Sequence, residues 1–316
     1  MIKMLKIKMI LFGLISCFAI AIGNAQTFDQ KYFKTILDSL TSNSFAGRGY
    51  VENGMTNAGI YLQNEFQKNG LKSFSSNYEQ NFTFPINIIK DAKLKINGKE
   101  LKYGIDFIVK PSSKSISKTN LPFYIFDTKA YIESFQSKDK TRNFIVKDDE
   151  SQKGKHIILP PLTTSIDSIQ KYYKQWANIY EKDENQNRAI FRFTSDKLTS
   201  SLSQRQSSIS EFIISDKFYS KNLKINDYSI DSELNNSFKA NNIIGYIDGK
   251  NNDSVVVISA HYDHLGKVGQ TIFPGASDNA SGTAMMMTLM KYYSKHQPNY
   301  RTVFMAFAGE EAGILG

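Results

Sequence analysis

Three short clusters near the C-terminal end carry side chains able to do chemistry: HYDHLG at 261–266, GASDNASG at 275–282 and GEE at 309–311. They offer His261, Asp263, His264, Asp278, Glu310 and Glu311 within 51 residues. The only cysteine is Cys17, far from all three. Nitrogen and oxygen donors without sulfur point to a divalent metal site, with zinc the favoured ion. On an extended chain, side chains two apart share a side, so His261 and Asp263 face the same way. Asp263 can then accept the spare ring N–H of His261 and fix its tautomer. His264 is one residue too far along to join them and is left out of the predicted site. Asp278 lies in a Gly/Ser-rich loop at a helix start, where both carboxylate oxygens can reach out. Such a carboxylate can bridge two ions about 3.5–4 Å apart. Glu310 and Glu311 are adjacent and cannot both point at one atom. One can hold a cation while its neighbour takes a proton from water, and a metal's charge offsets the repulsion between them. Taken singly, each residue reads as structural. Three clusters together do not, because carboxylates buried without partners are costly.

The flanking segments supply the scaffold. SVVVISA (254–260) is a continuous β-branched run, predicted to be a central parallel strand buried on both faces. The nearly all-apolar stretch that follows Asp278 predicts a buried helix, and RTVFMAFA (301–308) a second buried strand. Strand, helix, strand with a right-handed crossover is an α/β unit, and in such sheets the working residues gather beyond the C-terminal strand ends. All three clusters fall there. Met285, Met286, Met287 and Met290 read as core packing rather than a copper site. His296 reads as a surface residue.

Upstream, Ala58, Tyr61, Leu62 and Phe66 mark one face of a helix over Thr56–Lys68, stopped by Asn69-Gly70 with Leu71 beyond it. Arg48, in the turn-rich LTSNSFAGRGY, is expected on the surface. Residues 91–235 differ in texture. KLKINGKEL predicts a hairpin turning at Asn97-Gly98, KGKHIILP and NRAIFRF read as short strands, and Ile169, Tyr172, Tyr173, Trp176, Ile179 and Tyr180 share a helical face. No metal or nucleophile spacing occurs in this stretch, and His156 beside a strand is expected to be structural. The region is read as an inserted, substrate-shaping or interaction domain.

The N-terminus reads as a targeting segment. Lys3, Lys6 and Lys8 precede an apolar run of 14 residues, Met9–Ile22, too short to span a bilayer and suited to a cleaved signal with the cut before Gln26. A lipid anchor at Cys17 is the less favoured alternative. The protein is thus expected to be exported, periplasmic or secreted, with no transmembrane segment after cleavage, no disulfide and no thiol chemistry. Losing those three lysines lowers the formal charge from +9 to +6, with no clustered basic block, so nucleic acid is not an expected partner. A hydrophobic content of 41% places the chain among globular proteins.

SAHYDHLG, GASDNASG and AGEEAGILG together resemble the bi-zinc aminopeptidases (clan MH metallopeptidases of the bacterial leucyl aminopeptidase and aminopeptidase Y type). The likeness extends over residues 36–85 and 238–316; it is weak over 91–235, where some members carry a protease-associated insert that KGKHIIL resembles. The resemblance implies an α/β fold with a zinc-peptidase-like sheet and flanking helices, incomplete in this chain, plus an inserted mixed α/β domain. The organisation expected is a signal peptide at 1–25, a metallopeptidase domain at 26–90 and 236–316, and an insert at 91–235. It also implies two Zn2+ ions, with His261 on one, Asp278 bridging, Glu311 on the other, Asp263 orienting His261 and Glu310 the general base. The substrates would be peptides losing N-terminal residues. The family uses a later acidic ligand and a final histidine that this sequence does not contain, so the 316-residue chain is expected to be an incomplete product, inactive alone. A carboxypeptidase, a glutaminyl cyclase or a non-catalytic binding protein of the same fold are the alternatives.

Overall fold

The computed structural model describes residues 28–75, 77–180 and 187–316; the expected signal segment and Cys17 lie outside them. Helix α1 (Gln30–Leu40) starts at Asp29, whose Oδ1 accepts the Tyr32 N–H at 3.0 Å. A 3-10 turn, Asn43–Arg48, leads into α2 (Gly54–Lys68). Ala58, Leu62 and Phe66 form its buried stripe, as their spacing predicts. The helix stops as expected too. Gly70 takes φ +71°, the Gly70 N–H reaches Gln67 O at 3.0 Å, and the Leu71 N–H reaches Phe66 O at 3.2 Å.

The long strand β1 (Glu79–Ile96) follows, then β2 (Lys99–Glu100), with Asn97 and Gly98 both at positive φ in the predicted two-residue turn. Next come β3 (Phe107–Val109), β4 (Ile116–Ser117), β5 (Phe123–Ile125), α3 (Thr128–Ser134), α4 (Lys138–Gln152) and β6 (His156–Leu159). The aromatic helix expected after them is two pieces, α5 (Asp167–Lys174) and α6 (Ala177–Tyr180), with Trp176 in the break between them; Ile169, Tyr173, Trp176 and Tyr180 are buried and Tyr172 is exposed. Strands β7 (Ala189–Thr194) and β8 (Ser210–Ser215) precede β9 (Ile225–Ile247), β10 (Asn251–His261), the hairpin β11 (Gly266–Val268) and β12 (Thr271–Phe273), helix α7 (Ser281–Tyr293) and β13 (Tyr300–Phe307).

Two main sheets result. The first runs β10-β13-β9-β1-β2, with β4 also paired to β9; the second runs β3-β8-β7-β6-β5. Strands β10 and β13 are parallel and joined through α7, the expected strand–helix–strand unit. The first core gathers α1, α2, α7 and the adjoining halves of β1 and β9, including Met286, Met287 and Met290. Two further cores lie on the second sheet. The antiparallel β1–β9 ribbon belongs to both ends of the molecule, and the expected boundaries at 90/91 and 235/236 fall inside its two strands. Its register shifts between Phe84 and Ile86, where Pro85 has no N–H to give the ladder.

One expectation fails here. SVVVISA is an edge strand, not a central one. Val255, Val256 and Val257 are exposed, and among the described residues no strand pairs with the outer edge of β10. The central buried strand is β13, with Phe304 and Ala306 fully buried between β10 and β9. An unbroken apolar run reports that a strand wants cover but not whether this sheet provides it.

Candidate metal centre

The three clusters meet beyond the C-terminal ends of β10 and β13 and at the start of α7. His261 is the last residue of β10, and its carbonyl accepts the Thr283 hydroxyl from α7 at 2.8 Å. Glu310 and Glu311 follow β13 after Gly309, which takes φ +75°. The Ala308 N–H, just before them, is held by Asn242 Oδ1 of β9 at 3.0 Å. Asp278 sits in the irregular turn Ala276–Ala280 that opens α7, two-thirds exposed to solvent.

Asp278 is the meeting point. His261 Nε2 lies 3.1 Å from Asp278 Oδ1 and 3.8 Å from Glu310 Oε2. On the other side, donor atoms of His264, Asp278 and Glu311 all lie within 4.8 Å of one another. His264 Nδ1 and Glu311 Oε1 are hydrogen-bonded at 2.6 Å. Burial opposes a charge on the His261 ring, but the Asp263, Glu310 and Asp278 carboxylates outweigh it and raise its pKa.

The donor set fits zinc. It comprises two imidazoles and three carboxylates with no thiol, and the two separations around His261 bracket the spacing of about 3.3 Å expected between ligand atoms on a tetrahedral ion with bonds of about 2 Å. His261 and Asp278 could hold one ion, with Glu310 beside them; His264, Asp278 and Glu311 could hold a second.

Asp263 does more than the sequence suggests. It is fully buried, and its Oδ2 accepts the Tyr50 hydroxyl at 2.7 Å. Its two oxygens also receive the backbone N–H groups of Glu310 (3.3 Å) and Glu311 (3.2 Å). His261 Nδ1 is nearer to the Asp263 carbonyl, at 3.3 Å, than to its carboxylate, at 3.7 Å. Asp263 therefore fastens the turn that carries both glutamates, while its backbone is the nearer partner of the His261 ring.

The structure brings together all five predicted residues and adds three. His264, excluded on the two-residue rule, joins Glu311 because β10 ends at His261 and the alternation ends with it. Tyr50 gave no signal beyond lying in the turn-rich segment. Arg48, expected on the surface, is fully buried, and its Nε donates to Tyr262 O at 2.7 Å between His261 and Asp263. Of the remaining histidines, His296 is exposed and stacks on Tyr292, as expected, and His156 is buried in the second sheet.

Residues 242–316 match the family described as peptidase family M28. Over 88 residues the chain is 39% identical to a vacuolar membrane protease of Schizophyllum commune, covering 27% of this chain and 9% of that protein. Over 77 residues it is 36% identical to aminopeptidase YwaD of Bacillus subtilis, covering 24% of this chain and 16% of the relative. Among solved structures, BSAP, a zinc aminopeptidase from Bacillus subtilis, superposes with a TM-score of 0.58 at 17% identity, covering 93% of this chain and 64% of that one. At that identity the likeness establishes the fold. The chain aligns to less than a fifth of these curated relatives' length and to under two-thirds of BSAP.

Proposed function

We propose that this chain, whose residues 242–316 carry peptidase family M28 sequence, bears the catalytic centre of a zinc-dependent aminopeptidase. In this reading His261, Asp278 and Glu311 hold two Zn2+ ions with Asp278 shared, His264 adds a donor beside Glu311, Glu310 is the general base, and Asp263 is a positioning residue. Bound zinc would supply Lewis acidity and make water a stronger acid at neutral pH. Glu310 is suited to its role because its carboxylate is partly exposed, faces His261 across the shared space, and hangs from an N–H fixed by Asp263. It can accept a proton from water and return it to the leaving amine. The same acidic surroundings attract a substrate's charged α-amino group, which favours cleavage at the N-terminal residue. The single observation that carries this reading is the position of Asp278, with His261 and Glu310 on one side and His264 and Glu311 on the other. That BSAP is a zinc aminopeptidase and YwaD an aminopeptidase supports it.

Export is part of the proposal, resting on the basic-then-apolar N-terminus. No helix among the described residues is long and apolar enough to cross a membrane.

The test is hydrolysis of amino-acid p-nitroanilides by the zinc-loaded full-length protein. Glu310→Gln is expected to keep its zinc and to lose turnover by roughly 10²–10⁴-fold. Turnover equal to the wild type would remove Glu310 from the base role, and loss of zinc in the variant would make it a ligand instead.

A further inference from the structure

The segment Phe45–Tyr50 lies more than 200 residues upstream of the metal centre, yet packs directly beneath it. Arg48 is fully buried and, among the described residues, pairs with no carboxylate. Its guanidinium donates to four backbone carbonyls: Nε to Tyr262 O at 2.7 Å, Nη1 to Leu40 O at 2.8 Å and Pro274 O at 2.7 Å, and Nη2 to Gly275 O at 3.0 Å. In return, the Arg48 carbonyl accepts the His264 N–H at 3.0 Å. Three of the four carbonyls belong to the two segments that carry the site, 261–264 and 274–278. The backbones themselves are in contact, since a Cβ on Gly49 would come within 2.3 Å of Gly266 Cα. Tyr50, two residues on, holds Asp263.

We propose that Arg48 is a positioning residue of the metal centre. Its planar fork sets the spacing between the end of β10 and the Asp278 loop, and its buried positive charge lies beneath the carboxylates, so that they converge before any cation arrives. The proposal takes the metal-centre reading as its premise. A lysine cannot replace this fork, because one ammonium nitrogen cannot reach carbonyls spread along the edge of a guanidinium. Desolvation lowers the Arg48 pKa to about 10, with Asp263, Asp278 and Glu311 acting in the opposite direction, so it stays charged at neutral pH. The charge is costly to bury, and the geometry accounts for its presence: four carbonyl dipoles solvate it, and three nearby carboxylates need it.

Two readouts on the full chain test this: Zn2+ titration by calorimetry, and amide hydrogen exchange without metal. Arg48→Met is expected to weaken zinc binding by about tenfold to a hundredfold, the usual cost of losing a group that orients ligands. It should also speed exchange selectively in peptides covering 262–266 and 273–280, leaving β6 and β7 of the second sheet as in the wild type. Arg48→Lys, which keeps the charge without the fork, should fall between the two. If Arg48→Met does not fold, the same readouts on Arg48→Lys decide the matter. Zinc affinity within about twofold of the wild type, or exchange accelerated equally throughout the molecule, would overturn the proposal. The exchange measurement needs no metal, so it separates failure of this inference from failure of the zinc reading, which would appear as absent binding in the wild type.

Discussion

The two sheets bury ionisable groups to opposite ends. In the second sheet His156, Asp148 and Glu211 are each closed off by their own partners. His156 Nδ1 accepts the Ala189 N–H at 2.9 Å, so the ring proton sits on Nε2, beside Tyr228 Oη at 2.7 Å and Thr119 Oγ1 at 2.8 Å. Asp148 accepts the hydroxyls of Tyr124 and Tyr180, both at 2.7 Å. Glu211 meets Arg192 at 2.6 Å and Lys110 at 3.6 Å. Nothing in these groups is left to address a ligand. At the end of the first sheet, two glutamates and two imidazoles crowd around Asp278 instead, and the neighbouring cation, Arg48, donates to backbone carbonyls. A buried charge alone therefore does not mark a site in this protein. Convergence of several acids and imidazoles on one exposed carboxylate is what sets the proposed site apart.

That contrast can be broken in graded ways. Replacing Asp263 with Ala should have the largest effect. It strips the acceptor from the Tyr50 hydroxyl and from the N–H groups of Glu310 and Glu311. We expect a loss of about 3 kcal/mol or more in urea unfolding, together with zinc binding weakened by about tenfold to a hundredfold. Unchanged zinc affinity would show that Asp263 serves stability alone.

The next effect belongs to the second sheet. Burial lowers the His156 pKa to about 4, with Arg188 adding in the same direction. The unfolded chain, with the ordinary value near 6.5, then binds the extra proton first on acidification. Stability should be whole above pH ~6.5 and fall by up to about 3 kcal/mol as the pH drops toward ~4. Denaturation curves of the wild type and His156→Gln across that range check it; equal slopes in the two would remove His156 as the cause. Smaller still, Tyr180→Phe takes one hydroxyl from Asp148 and should cost about 1 kcal/mol while leaving zinc affinity untouched. Any loss of zinc there would mean the two regions are coupled. The smallest change is expected from Lys34→Ala, which opens an exposed pair with Asp38 on α1 and should shift stability by less than about 0.5 kcal/mol.

Much of this was legible in the chain. The spacing of Ala58, Leu62 and Phe66 encodes the helix face, Asn97-Gly98 encodes the turn, and the three acidic and histidine clusters hold the residues that converge beyond β10 and β13. What stayed hidden is non-local. Arg48 binds carbonyls contributed by Tyr262, Pro274 and Gly275, and a carbonyl leaves no mark in the residue type. His264 was lost because strand alternation was carried one residue past the strand's end. Exposure of Val255–Val257 depends on what lies beside β10, which its own sequence does not encode. The limits of the inserted region were blurred for a related reason: β1 and β9 stay in strand conformation across them, so composition changes where secondary structure does not.

The central claim is that two clusters share one carboxylate, and Asp278→Asn tests it most directly. Zn2+ titration of the wild-type chain should show binding, and the Asn variant, with one neutral amide in place of the shared anion, should lose affinity for both ions together. A wild type that retains no divalent cation, or an Asn variant that binds zinc as the wild type does, would contradict the account.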